Sequence, residues 1–213
     1  MILTVFGATG RVGKRIVRMA LAQGHIVRAF GRNIENLLDE DLHNNKFEAI
    51  KGYVFDEHEV FNAVEGCGAV LSALGGDFKN IDKTRSLGIK NIVAQMEKAA
   101  VKRIIAVGGA GTLKDDEYEF RLNRPGYPAV FKAVSTEHLE AYGYLKTSDL
   151  DWTFVCPPDI KDGDASGKYI AKADYRPEPY INNITTGDIA DFMLQELTAR
   201  QYINKRVGIC TKG

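Results

Sequence analysis

Short apolar runs alternate with stretches of helical spacing from the N-terminus to about residue 155. The runs Ile2–Phe6, Ile26–Phe30, Glu48–Ile50, Ala69–Ala73, Arg103–Val107 and Trp152–Val155 predict strands. Between the first two, Val12, Ile16, Val17 and Ala20 recur on one helical face with Lys14, Arg15 and Arg18 between them, and Gly24 is a stop signal. Between the fourth and fifth, Ile89, Ile92, Val93, Met96 and Ala100 share a face. This alternation predicts an α/β fold, a doubly wound parallel sheet with helices on both faces. The polar stretch from Lys114 to Pro128 breaks the pattern and predicts an exposed loop or a partly ordered excursion. From Asp159 to Asn183, Gly163, Gly167, Pro177 and Pro179 interrupt any period. Thr185-Thr186-Gly187-Asp188 then caps a last helix with Ile189, Phe192, Met193 and Leu197 on its apolar face.

A chain of 213 residues buries a sizeable core and predicts one domain, 1–213, with residues 159–186 as a small C-terminal lobe. Lys+Arg and Asp+Glu balance at 28 each, so no global field draws the chain to nucleic acid or to an anionic membrane. Cys67, Cys156 and Cys210 are widely spaced and form no CxxC or Cys/His metal pattern, which predicts reduced buried thiols and no metal. No apolar run is long enough to span a bilayer, and the first one is too short for a secretory signal; the expectation is a cytoplasmic protein acting on a small molecule, as a monomer or weak homodimer.

The chemistry concentrates where the first strand empties into Gly7-Ala-Thr-Gly10-Arg-Val-Gly13. In a strand-to-helix turn that holds a dinucleotide, the first glycine permits the tight turn, the second lets backbone approach the pyrophosphate and the third lets helix pack on strand. The phosphates then lie at a helix N-terminus, where free N–H groups and the dipole favour negative charge. In such sheets ligands bind beyond the carboxyl ends of the strands. Four turns therefore matter: those after Phe6 and Phe30, Leu74-Gly75-Gly76, and Gly108-Gly109-Ala110-Gly111. A carboxylate after the second strand would hold the ribose hydroxyls of NAD; this chain has Gly31-Arg32-Asn33 and none before Glu35. Arg32 offers a donor fork suited to the 2′-phosphate of NADP, and Arg11 would add a cation on the same side. Two solvated surface arginines are the competing account.

These residues resemble an atypical short-chain dehydrogenase/reductase of the NAD(P)H-binding, NmrA-like type, and within it the flavin reductase group. The likeness runs through Phe6 to Gly10, Arg32, Val70 to Gly75, Asn91-Ile-Val-Ala94, His138, and Trp152 through Pro157-Pro158-Asp159-Ile160. It implies a Rossmann-like fold and NADP(H), preferred over NAD(H), along Gly7, Thr9, Gly10, Arg11, Val12, Gly13, Arg32, Tyr53, Val54, Leu74, Gly75, Gly108, Gly109 and His138, with the nicotinamide near Pro157 and Ile160. The chain departs from the family pattern in three places. Tyr53 replaces an aspartate near the adenine, Gly109 replaces a serine after the fifth strand, and Asp159 replaces a histidine after the proline pair. The Tyr-x-x-x-Lys pair is also missing, with Val134 and His138 near those positions.

Without that pair, alcohol oxidation lacks its proton relay. Hydride transfer to FMN, another flavin or a similar conjugated acceptor asks mainly for alignment of two flat rings. His138 and Asp159 are the candidate catalytic residues, with Tyr142 behind them, each weighed against a structural role. Tyr169, Tyr175 and Tyr180 would stack on an acceptor or form a small core. Lys161, Lys168, Lys172 and Arg176 would attract a flavin phosphate or simply be solvated. The alternatives are a non-catalytic NADP(H) sensor of the NmrA kind and, further off, a relative of sugar-nucleotide epimerases and dehydratases.

Overall fold

The computed structural model describes residues 1–34, 37, 44–76 and 82–213. Six of its strands are β1 (Ile2–Phe6), β2 (Ile26–Gly31), β3 (Phe47–Lys51), β4 (Ala69–Ser72), β5 (Arg103–Val107) and β6 (Asp151–Cys156). All but β3 form where apolar side chains alternate between two covered faces, whereas β3 is an edge strand with Glu48, Ala49 and Lys51 exposed and no residue buried. In β6, Val155 enters one core layer while Trp152, Phe154 and Cys156 enter the other; in β5, Ile105 and the pair Ile104 and Ala106 divide likewise. One layer lies under helices α1 (Arg11–Ala22) and α5 (Thr186–Ala199), the other under α2 (Glu57–Val64), α3 (Thr84–Lys98) and α4 (Ala129–Lys146). Glu35, the first carboxylate after β2, lies outside the described residues.

Three further strands lie in or beyond the segment of little periodicity: β7 (Asp159–Lys161), β8 (Tyr169–Ala173) and β9 (Asn183–Thr185), followed after α5 by β10 (Lys205–Thr211). The main sheet has the order β3-β2-β1-β4-β5-β6-β10-β8, parallel except for β8, which pairs antiparallel with β10. Strand order reverses between β1 and β4, which places the crevice for a ligand at their carboxyl ends. β7 and β9 form a separate parallel pair.

The helix ends follow from local chemistry. α5 begins where the Thr185 hydroxyl accepts from Asp188 N, as its sequence predicts. α3 stops at Lys98, earlier than its apolar spacing implies. Ala100 takes φ 55°, and the bonds Val101 N to Met96 O and Ala100 N to Glu97 O close the last turn, so Val101 rather than Ala100 enters the core. The N-terminus of α3 is capped from a distance: the Glu137 carboxylate on α4 accepts from Arg85 N at 2.8 Å and Ser86 N at 3.3 Å and pairs with the Arg85 guanidinium at 2.9 Å. All three cysteines are free and buried, and burial pushes the Cys156 thiol up to about 12. No helix among the described residues is long and apolar enough to cross a membrane.

Candidate functional site

The glycine turn after β1 has the geometry its sequence predicts. Gly7 takes φ +73°, and a Cβ there would lie 2.4 Å from Ala73 O. A Cβ on Gly13 would lie 2.1 Å from Gly7 O, so this glycine lets α1 pack on the turn. Among the described residues a Cβ on Gly10 would meet only Gly7 O, at 3.2 Å, and one on Gly75 would meet nothing within 4 Å. Those two face open space. Gly10 is also the N-cap of α1, with no side-chain cap and no acidic residue in the first turn, whereas α2 and α5 carry side-chain caps and early carboxylates. A helix start with its N–H groups left uncapped beside open space is suited to phosphate.

Two cavities meet at this turn. The smaller, about 210 Å³, lies over the ends of β1 and β2 and is lined by Gly7, Thr9, Gly10, Arg32, Tyr53, Val54, Leu74 and Gly75. Tyr53 is half exposed and sits edge-on to Phe55 at 4.9 Å, with its backbone N–H given to Glu59. The Val54 carbonyl takes a hydrogen bond from Asn91 on α3, which holds this wall in place. The larger cavity, about 570 Å³, continues from Gly10 and Gly75 past Arg11, Val12, Gly108, Gly109 and His138 to Asp159 and Ile160. Pro158 lines it, whereas Pro157 is buried behind.

Several candidate residues stand elsewhere than their sequence placement suggests. Arg11 lines the larger cavity and donates to Ile160 O at 3.3 Å, so it is not on the Arg32 side. Gly108 and Gly109 owe their smallness to the protein itself: a Cβ would lie 2.3 Å from the Phe154 ring and 2.9 Å from His138 Cδ2, respectively. Tyr142 packs against Trp152, Phe154 and Arg206 in the core and does not line the cavity. Tyr169 gives its hydroxyl to Asp191 and packs on Phe192, and Tyr175 lies between Lys114 and Lys172. Of the lobe's aromatics and cations, Tyr180 and Arg176 reach the larger cavity, with the guanidinium 4.1 Å over the ring; Lys161, Lys168 and Lys172 do not. Asp159 is exposed and accepts from Asn182 at 2.9 Å.

His138 is buried, and its Nδ1 has no hydrogen-bond partner among the described residues. Burial, reinforced by the Arg85 charge, holds its pKa down at about 3. The imidazole is therefore neutral at physiological pH and is not a reservoir of a proton there.

The stretch 114–128 is an ordered wall of the site. Arg121 pairs with Asp115 at 3.1 Å, Leu122 is buried, and Arg121, Tyr127 and Pro128 line the larger cavity. The Tyr127 hydroxyl lies 2.7 Å from Ser135 Oγ on α4. Neither residue stands out in the sequence. The available signal is Ser135 three positions before His138, which places both on one face of a helix.

The family model described as NAD(P)H-binding matches residues 7–200. YwnB of Bacillus subtilis (strain 168) is 26% identical over 225 residues, covering 100% of this chain and 99% of that protein. A crystal structure from Burkholderia pseudomallei, of a protein provisionally named as exported, shares 30% identity with a TM-score of 0.83 and covers 99% of both chains. One from Streptococcus pneumoniae TIGR4, provisionally named an NADH-flavin reductase, shares 29% identity with a TM-score of 0.84 and covers 100% of both. With a Rossmann-like sheet, an uncapped glycine turn at its switch point and a family match spanning the turn and both cavities, the chain belongs to the NAD(P)H-binding family.

Proposed function

We propose that the protein is an NADPH-dependent reductase that passes a hydride to a flat, conjugated small molecule. The observation that carries this reading is the division of the crevice at the glycine turn. On one side is a small chamber with a guanidinium where an NAD enzyme has a carboxylate. On the other is a larger chamber walled by Phe131, Tyr180, Pro158 and Ile160. The residues fit the nucleotide: Gly10 and Gly75 leave room for a backbone-close pyrophosphate, Arg32 lines the smaller chamber with a guanidinium suited to a 2′-phosphate, and the neutral His138 lines the larger one beside Gly108 and Gly109. When bound, the cofactor supplies the hydride. The chain's own part is to hold two flat groups together and to keep water from the contact. The similar Streptococcus pneumoniae protein, provisionally named an NADH-flavin reductase, supports the flavin class of acceptor.

Gly109, with His138 filling the space of the family's serine, favours a second reading as a nucleotide sensor without turnover. One experiment separates the two. NADPH oxidation is followed with FMN, riboflavin and a quinone, alongside calorimetric titration of NADPH and NADH. Turnover with any acceptor together with tighter NADPH binding is the expected result. Binding with no turnover across the panel assigns the sensor role instead.

A further inference from the structure

Reducing a flavin asks nothing of a protein acid, yet the larger cavity holds a hydroxyl pair. Tyr127 OH and Ser135 Oγ are 2.7 Å apart, and both line the wall beside His138. Ser135 is 4% exposed and lies on the same face of α4 as Val134 and His138, which line the cavity with it. The backbone opposite makes room for the pair: a Cβ on Gly111 would lie 2.6 Å from both oxygens. Two hydroxyls bring two protons, and the bond between them uses one. Among the described residues neither hydroxyl has a second protein partner, so one O–H remains to be given to something else.

We propose that the acceptor is a conjugated carbonyl compound, an enone or a quinone, whose oxygen is held by the Tyr127–Ser135 pair with Tyr127 as its proton donor. This rests on the reductase reading and names the substrate class for it. The Ser135 O–H donates to the Tyr127 oxygen, which leaves the phenolic proton free for the ligand and stabilises the negative charge left when that proton departs. As hydride from NADPH arrives at the conjugated carbon, the π electrons move to the carbonyl oxygen. That oxygen takes the phenolic proton, and NADP⁺ and the reduced compound result. Tyr127 then regains a proton from water. A flavin differs in kind: it takes the hydride at a ring nitrogen and spreads the resulting charge over its own rings, so its reduction proceeds without the pair.

That contrast supplies an internal control. Wild type, Tyr127→Phe and Ser135→Ala are compared for NADPH oxidation with 1,4-naphthoquinone, cyclohex-2-enone and FMN. Binding of naphthoquinone in the absence of nucleotide is measured by calorimetry. A dedicated acid contributes on the order of 10²–10⁴ in rate. The expected result is a loss of about a hundredfold or more in kcat/KM for a carbonyl acceptor in Tyr127→Phe, with a loss for FMN in that variant at least about tenfold smaller, a smaller carbonyl loss in Ser135→Ala, and naphthoquinone binding weakened severalfold. Equal effects on FMN and the carbonyl acceptors, or none on either, overturn the assignment while the reductase reading stands. A Tyr127→Phe variant with a lower melting temperature and wild-type carbonyl turnover reduces the pair to a staple between loop and helix. If wild type oxidises NADPH with none of the three, both readings fall.

Discussion

Gly109 and His138 occupy one another's space: a side-chain carbon on the glycine would stand 2.9 Å from Cδ2 of the imidazole. The family's serine at this position and this chain's buried histidine are thus mutually exclusive in the present packing. Gly109→Ser should cost about 1–3 kcal/mol as overpacking, and the double variant Gly109→Ser/His138→Ala should recover most of it. A thermal-denaturation cycle measures the coupling. Additive losses would mean that the two positions do not share the space.

His138 also makes stability depend on pH. Its folded pKa, about 3, lies below the unfolded value of 6.5, so in between the unfolded chain binds a proton that the native state refuses. Stability attributable to this residue is complete above pH 6.5 and falls as pH drops through the window, by up to about 1.4 kcal/mol per pH unit. The stability difference between wild type and His138→Gln should follow that slope between pH 6.5 and 3, and a flat difference curve would contradict it. The same neutrality limits His138 as an acid. His138→Ala should lower kcat/KM for FMN by no more than about tenfold, below the range of a required proton donor.

Arg32 should set the choice of nucleotide. It is exposed, so solvent screens its contact and the effect belongs at the low end of charge-assisted bonds, about 1.5 kcal/mol. Arg32→Ala should weaken NADPH binding roughly tenfold and leave NADH binding nearly unchanged. Calorimetry with both nucleotides checks this. Equal losses for the two remove Arg32 from the 2′-phosphate.

Gly10→Ala tests the turn itself. Among the described residues the new methyl meets only Gly7 O, at 3.2 Å, so the fold should survive, as judged by circular dichroism and melting temperature. Nucleotide affinity should fall at least tenfold because the methyl enters the space of the pyrophosphate. Full binding in a folded variant would leave the glycine as punctuation only.

Glu137 should be the largest single contributor to stability among the site's supports. Glu137→Ala removes the fully buried carboxylate that pairs with the Arg85 guanidinium at 2.9 Å and caps the N-terminus of α3. Breaking such a pair costs about 3–5 kcal/mol, readable as a shift in the urea midpoint. A loss under 1 kcal/mol would mean that water reaches the pair.

How much of this was written in the sequence depends on how local each interaction is. β1, α1 and β2 could be read because Gly10 and Gly13 meet the Gly7 backbone a few residues away and Gly7 itself turns the chain with a positive φ, although the neighbour it makes room for, Ala73, is distant. β10 could not. Its run opens with Lys205 and Arg206, and Arg206 is buried only because Thr112 O and Asp174 receive it, from 94 and 32 positions away along the chain. β8 is a half-buried edge whose partner is that same hidden strand. In the site, Arg32 and the glycine turns were legible by type and position. The Tyr127–Ser135 pair was not, since the loop that carries Tyr127 looks polar and irregular until Leu122 and the Arg121–Asp115 pair fix it.

Helix α1 holds more than the turn from which it starts. Arg11 donates to Ile160 O, and Arg15 reaches both Asp162 and Asp164, so the chain beyond the proline pair hangs from the first helix by two guanidiniums. The attachments on the far side are a backbone carbonyl and two exposed carboxylates, and neither carboxylate faces the larger cavity. Of the lobe side chains that do face it, Asp159, Arg176, Tyr180 and Asn182 take no part in the suspension, and Ile160 takes part only through its backbone carbonyl. A lineage could therefore exchange its acceptor by rewriting those few positions, while the nucleotide end and its attachment to the lobe are inherited intact.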